Sequence, residues 1–282
     1  MHIVDSLASN FIHLLSHLIQ LVEVLNDLRT KLQPAGRLTN GETKGFVKQL
    51  KYNISNLGEQ WPESVPLESP STDHKYLRHL QSITPESSDC RLLLQDEDRR
   101  PQVVEAFIWK ILATEVFGHF HWAGGTAAPH TWKTTQLFFE ALNSRGDDEK
   151  DQNKLYLERM KNNVTLLIIE TLGLSINSSG SIAEQLDDIL QGAIQLDKKF
   201  CQQAARWEWK YSYKSHHEGA LVFDGDFMNL DRAERLSSDE KAQAQRLVRF
   251  VISPALIKLG GKDGMNDELE TTVMKMVVSR KN

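Results

Sequence analysis

Nine apolar residues, Val4, Leu7, Phe11, Leu14, Leu18, Leu21, Leu25, Leu28 and Leu32, follow one another at alternating spacings of three and four. Only a helix brings such positions onto one stripe, so this unbroken heptad repeat predicts a long amphipathic helix at the start of the chain. Ile12, Leu15, Ile19 and Val22 broaden the stripe beyond a two-stranded seam, and few charges flank it to choose a partner. The helix is therefore expected to be covered on more than one side. Its cover is either the protein's own bundle, with this helix at the centre, or a second copy or partner helix docked on the same nine residues.

Pro34, Gly36 and Gly41 end that segment, and Thr39 with Glu42 forms a capping box for a second helix through Phe46, Leu50, Ile54 and Leu57, with Gly58 as its stop. The run WPESVPLESPST, Trp61 to Thr72, reads as an extended loop or linker. A short helix around Tyr76, Leu77, Leu80 and Ile83 must finish before Pro85, and residues 91–95 add another turn or two. Asp98 is placed as the cap of a helix with Pro101 in its first turn, an apolar face of Val104, Phe107, Ile108, Ile111, Leu112 and Val116, and Gly118 at its end. The pattern returns with Trp132, Phe138, Phe139 and Leu142, stopping at Gly146. The charged run DDEKDQNK then opens a long helix through Leu157, Met160, Val164, Leu167 and Ile168 to Gly173. Ser181 with Glu184, and Ser237 with Glu240, repeat the capping box. The first precedes Leu186, Ile189, Leu190, Ile194 and Phe200. The second precedes a helix carrying Leu247, Val248, Val251 and Ile252, which Pro254 should kink or divide.

Two stretches admit a strand. Trp207, Trp209, Tyr211 and Tyr213 alternate with polar residues, which in a strand places four aromatics on one face, with Leu221 to Phe227 as a hairpin partner. Val273 to Val278 fits helix or strand equally. The expected architecture is mainly α, a multi-helix bundle with room for one small aromatic β-hairpin near residues 206–228. Its expected parts are 1–58, packing on the rest; a linker or loop, 59–72; and a main helical domain, 73–282.

A chain of 282 residues with 40% hydrophobic and 25% charged side chains is composed like a globular protein and is long enough for a sizeable core. Its net charge of −5 argues against a broad electrostatic grip on nucleic acid or anionic membrane. Asp5, His13, His17 and Glu23 interrupt the apolar opening, and no basic leader precedes it, so neither a signal peptide nor a membrane span is expected. Two widely separated cysteines, Cys90 and Cys201, fit reduced thiols in the cytosol or nucleus.

Chemistry has only scattered addresses. His119, His121 and His130 share one glycine-containing loop, and neutral imidazole ligates zinc or iron, yet no neighbouring carboxylate or thiol completes a set. An aromatic-rich packed loop is the plainer reading. His216, His217 and Glu218, followed by Asp224 and Asp226, match no metalloprotease or calcium-loop spacing. Gly124-Gly125-Thr126 lacks the lysine of a phosphate loop, and Cys90 has no histidine placed beside it. The aromatics from Trp207 to Tyr213, interleaved with Lys210 and Lys214, invite comparison with a base-stacking platform, but packing explains them without a positive groove. No cofactor is implied.

Arg99-Arg100-Pro101, Glu105-Ala106-Phe107, Trp109, Val116-Phe117-Gly118 and Trp122-Ala123-Gly124 give the segment Asp98 to Gly125 a likeness to uncharacterised proteins of filamentous fungi. The resemblance covers about a tenth of the chain. It implies a fungal intracellular origin and carries over no catalytic residue. Read physically, Glu105 can pair with Arg99 or Arg100 while Phe107, Trp109 and Phe117 pack. The expectation is thus an interaction or regulatory protein that binds itself or a partner helix through Val4 to Leu32. The alternatives are an enzyme or small-molecule-binding protein with a pocket among the central helices, the less favoured of the two classes, or a nucleic-acid-linked regulator.

Overall fold

A computed structural model describes residues 38–62, 74–83, 90–119, 121, 146–174, 180–203, 205–211, 216–217, 220–231, 248, 250–260 and 269–279. The chain divides into two compact units, Met1–Arg37 and Leu38–Asn282. The heptad residues Val4, Leu7, Phe11, Leu14, Leu18, Leu21, Leu25, Leu28 and Leu32 belong to the first and lie outside the described residues. Everything below concerns the second.

Helix α1 (Asn40–Gln60) starts as its capping box requires: Thr39 Oγ1 accepts from the Glu42 N–H at 3.1 Å, and Glu42 Oε2 accepts from the Thr39 N–H at 2.7 Å. Its buried stripe is Val47, Leu50, Ile54 and Leu57, whereas Phe46 stays partly exposed under the Lys199 ammonium. Gly58 does not stop the helix. A Cβ there would stand 2.7 Å from the Pro101 carbonyl oxygen, so glycine is present because another helix passes against it. The helix runs on to Gln60, and Trp61, expected in a loop, is buried.

The short helices α2 (His74–Ser82) and α3 (Cys90–Gln95) follow, then α4 (Arg100–Ile111), which passes directly into a π-helical turn (Leu112–Val116). Every residue from Val103 to Trp109 is buried, so α4 is the central helix, enclosed on all sides. Its entry is organised by Asp96 rather than Asp98: the Asp96 carbonyl accepts from the Arg99 and Arg100 N–H groups, and its carboxylate accepts from the Asp98 N–H. Pro101 takes the first turn as expected. Gly118, at φ 78°, ends the segment, and its N–H donates to Asp197 Oδ1 at 2.8 Å. Helices α5 (Asp147–Thr171) and α6 (Gly180–Cys201) complete the layer; Gly173 closes α5 at φ 77°, and α6 begins at Gly180, one residue before the expected Ser181 cap. Among the described residues no helix is long and apolar enough to cross a membrane.

The rest of the unit overturns the expected helical bundle. Among the described residues eight strands follow α6: β1 (Arg206–Lys210), β2 (His216–His217), β3 (Ala220–Leu221), β4 (Met228–Leu230), β5 (Phe250–Ser253), β6 (Ala255–Leu259), β7 (Glu270–Met274) and β8 (Met276–Ser279). They form two three-stranded sheets, β1-β6-β7 and β4-β8-β5, and a two-stranded β2-β3 pair. β5 and β6 are separated only by Pro254, and β7 and β8 only by Lys275. β6 pairs with β7 and β5 with β8, both antiparallel, so both sheets are built on one long hairpin. Its register slips between Leu256 and Ile257 and again between Val251 and Ser253, and at that bend it passes from one sheet to the other. β1 extends the first half antiparallel to β6; β4 extends the second half parallel to β8.

Around its bend that hairpin is buried on both faces, which is why residues 250–252 carry no strand signature in sequence. Ile252, Leu256, Val273 and Val277 enter the main core with the helices, while Ala255, Ile257, Met276 and Val278 enter a second core with Met228, Leu230 and Val248. A strand covered on both sides loses its polar alternation and reads as a continuous apolar run, which a helix pattern also fits. Pro254, expected to kink a helix, instead joins two strands of different sheets, where its missing N–H costs no ladder bond. The aromatic strand at 206–210 is present, but its partner is β6 rather than residues 221–227.

Candidate functional site

Arg99, just before α4, and Gln102 and Glu105 within it recur at every third residue and form one polar stripe. Arg99 Nη1 donates to Ser279 Oγ on β8 at 3.2 Å, and Gln102 Nε2 donates to Asp231 Oδ2, just past β4, at 2.9 Å. On α1, Lys51 Nζ donates to Ser253 Oγ on β5 at 3.3 Å. Helices α1 and α4 are thus stitched to the β4-β8-β5 sheet by side-chain hydrogen bonds. Within this seam Glu105 is only 7% exposed, and its Oε1 meets no hydrogen-bond partner among the described residues. Burial is the main influence on the group and pushes its pKa up to about 7; Lys51, the Ser55 hydroxyl and, least, the Trp109 indole pull it down, and Asp231 pushes it further up. A carboxyl poised between its two forms near neutral pH is a proton-handling group of the kind functional sites use. Arg100, an expected partner for Glu105, points elsewhere: it donates from Nε to the Leu94 carbonyl at 2.8 Å and from Nη2 to that of Gln95.

The histidine loop resolves into a different arrangement. His119 and His121 stack with ring centroids 5.8 Å apart, His119 exposed and His121 half-buried. His121 Nε2 lies 2.6 Å from the Glu115 carbonyl oxygen, which can only accept, so Nε2 carries the proton. Nδ1 then accepts from the Tyr156 hydroxyl at 3.0 Å. Burial holds the imidazole pKa below its ordinary value and favours this neutral tautomer. Both nitrogens being spent, His121 braces the π-helical turn against α5. His130 lies outside the described residues, among which no group of three or more His, Cys, Asp or Glu is arranged to hold a metal ion.

The aromatic strand is half-buried, with Trp207 and Trp209 packed against the main core. Trp209 lies between Trp109 (5.2 Å between centroids) and Phe117 (4.7 Å), and Trp207 stacks on Phe200 at 4.7 Å. Lys110 sits over the Tyr211 ring, and Lys258, directly across on β6, over Trp207. His216 and His217 pair with Leu221 and Ala220 as strand residues, and Asp224 accepts the Asp226 N–H in a tight turn. Cys201 is a free thiol whose pKa burial raises strongly, which leaves it a poor nucleophile.

Glu105 was visible in sequence as an ion-pair residue; its setting was not. The available signal is a lone carboxylate in a run, Val103 to Trp109, that is otherwise wholly apolar, since such a residue on a central helix must be buried. Lys51 and Ser55 on α1 and Asp231 past β4, which act on it, are far along the chain and leave no local pattern. No family model matches the chain, nor does any curated protein or solved structure.

Proposed function

We propose that this chain is an intracellular interaction or regulatory protein that associates, with a second copy of itself or with a partner helix, through the heptad face Val4, Leu7, Phe11, Leu14, Leu18, Leu21, Leu25, Leu28 and Leu32. The observation that carries the reading is the repeat itself, nine apolar positions in unbroken register. Two further features support it. The chain divides between Arg37 and Leu38 into two compact units, so the nine heptad residues share one unit. The fungal likeness of the segment Asp98 to Gly125 supports a cytosolic or nuclear setting.

Self-association is the form tested first. Light scattering on the full chain across a concentration series should give a mass above the 32.1 kDa of one copy. Replacing Leu14, Leu21 and Leu28 together by Asp should return the mass to that of one copy with the far-ultraviolet spectrum largely retained. A wild-type chain that remains a single copy at every concentration would remove self-association.

A further inference from the structure

We propose that Glu105 is a proton-operated latch on the seam between the α1/α4 pair and the β4-β8-β5 sheet: protonated, it lies in a closed seam, and ionised, it loosens the sheet at β5 and β8. The inference is independent of the association reading. It rests first on geometry. Glu105 is 7% exposed, one of its oxygens has no hydrogen-bond partner among the described residues, and the helix that carries it bonds to the sheet through Gln102–Asp231 and Arg99–Ser279. An ionised carboxylate at that depth with an oxygen unsatisfied is disfavoured, whereas the neutral acid fits.

The charges acting on it are few. Lys51, on α1, favours ionisation; Asp231, just past β4, opposes it. β5 contributes Ser253, whose hydroxyl Lys51 engages, and β8 contributes Ser279, held by Arg99; neither strand carries a charged residue. With Glu105 protonated, the charges that act on it are one lysine and one aspartate, and Arg99 of the same row is turned to Ser279. Releasing the proton to solvent adds a second carboxylate on the side of Asp231, the residue that ties α4 to the end of β4. Burial sets the balance point near neutrality, with the pKa pushed up to about 7 from the ordinary 4.5. The folded chain therefore keeps a proton that the unfolded chain has released between those values. The stabilisation is complete below about 4.5 and lost as pH rises through about 7.

The test is amide hydrogen exchange on the full chain at about pH 5.5 and about pH 8, corrected for intrinsic rates, on either side of the transition. Protection in 250–253 and 276–279 should fall by roughly tenfold at the higher pH, while 206–210 and 256–258 in the other sheet hold theirs. Glu105→Gln, which keeps the neutral shape, should abolish the fall. Asp231→Asn, by removing the opposing charge, should move the transition to lower pH. The latch is overturned if Glu105→Gln loses protection as the wild type does, or if both sheets loosen together. Should Glu105→Gln not fold, an unshifted transition in Asp231→Asn overturns it equally.

Discussion

Where the helices meet β1, the contact is ring against ring: Trp209 between Trp109 and Phe117, and Trp207 on Phe200. Where the same α4 meets β4-β8-β5, the contact includes a row of polar side chains, Arg99 to Ser279, Gln102 to Asp231, and Glu105 among Lys51, Ser55 and Asp231. Both sheets grow from one hairpin, so the difference lies in what the helix offers each of them. Rings bury large areas and gain a further ~0.5–1.5 kcal/mol per well-placed pair. That gain ignores solution pH, since burial pushes the Tyr211 phenol well above its ordinary value and keeps it neutral. Polar side chains gain about 1 kcal/mol per hydrogen bond and become a liability when one member changes charge. One seam is therefore strong and built of rings that do not titrate; the other is weaker and responsive to protons, and Trp109, which packs on Trp209 and also pulls the Glu105 pKa down, touches both.

Trp209→Ala should break the comparison hardest. It empties the space between Trp109 and Phe117, and the expected loss is about 3–5 kcal/mol in urea unfolding. The loss should be the same at acid and at mildly alkaline pH. A loss that changes with pH would mean that the aromatic seam also carries a titrating group.

Glu105→Gln sharpens the contrast with a smaller effect of distinctive sign. Between the ordinary 4.5 and about 7, the wild type should lose stability with rising pH, on the order of 3 kcal/mol in total. The variant keeps a neutral side chain throughout, so it should match the wild type in acid and exceed it by about 2–3 kcal/mol at mildly alkaline pH. Urea midpoints measured across the pH range decide the point. Parallel curves for the two proteins would place the Glu105 transition outside this window.

These two residues also mark what the sequence could disclose. Helices α1 and α6 were legible because each buries one stripe: Leu50, Ile54 and Leu57 on α1, and Leu186, Ile189, Leu190 and Ile194 on α6, recur at helical spacing and are buried as expected. The hairpin was not, because Ile252 and Leu256 face one core while Ala255 and Ile257 face another, and two buried faces erase the alternation that announces a strand. Trp207 and Trp209 were legible as a strand, but not their partner β6, because pairing between distant segments leaves no trace in local spacing. Gly58 was misread as a stop because a glycine kept for close helix approach and one kept for a turn look alike in sequence. Glu105 was visible as a charge, and its function as a seam residue depended on elements far along the chain.

Thr39→Ala supplies the smallest expected effect and the control for both seams. The capping box satisfies the start of α1, several turns before Lys51 and Ser55, so losing the hydroxyl should cost about 1 kcal/mol while leaving the ring contacts and the polar row in place. Its pH dependence should run opposite to that of Glu105. Glu42 is held below its ordinary carboxylate value by the Thr39 N–H first and the Thr39 hydroxyl second. Its contribution is therefore present above the ordinary 4.5 and fades as pH falls through the lowered value. Unfolding curves for Thr39→Ala should accordingly lie below the wild type at every pH, the gap narrowing only in part in acid, because the lost bond from the Glu42 N–H does not titrate and the residue-39 N–H still holds the Glu42 carboxylate. A gap that instead widens from neutral to mildly alkaline pH would mean that fraying of α1 reaches Lys51, and that the position of α1, as well as the charge on Glu105, sets how tightly the second sheet is held.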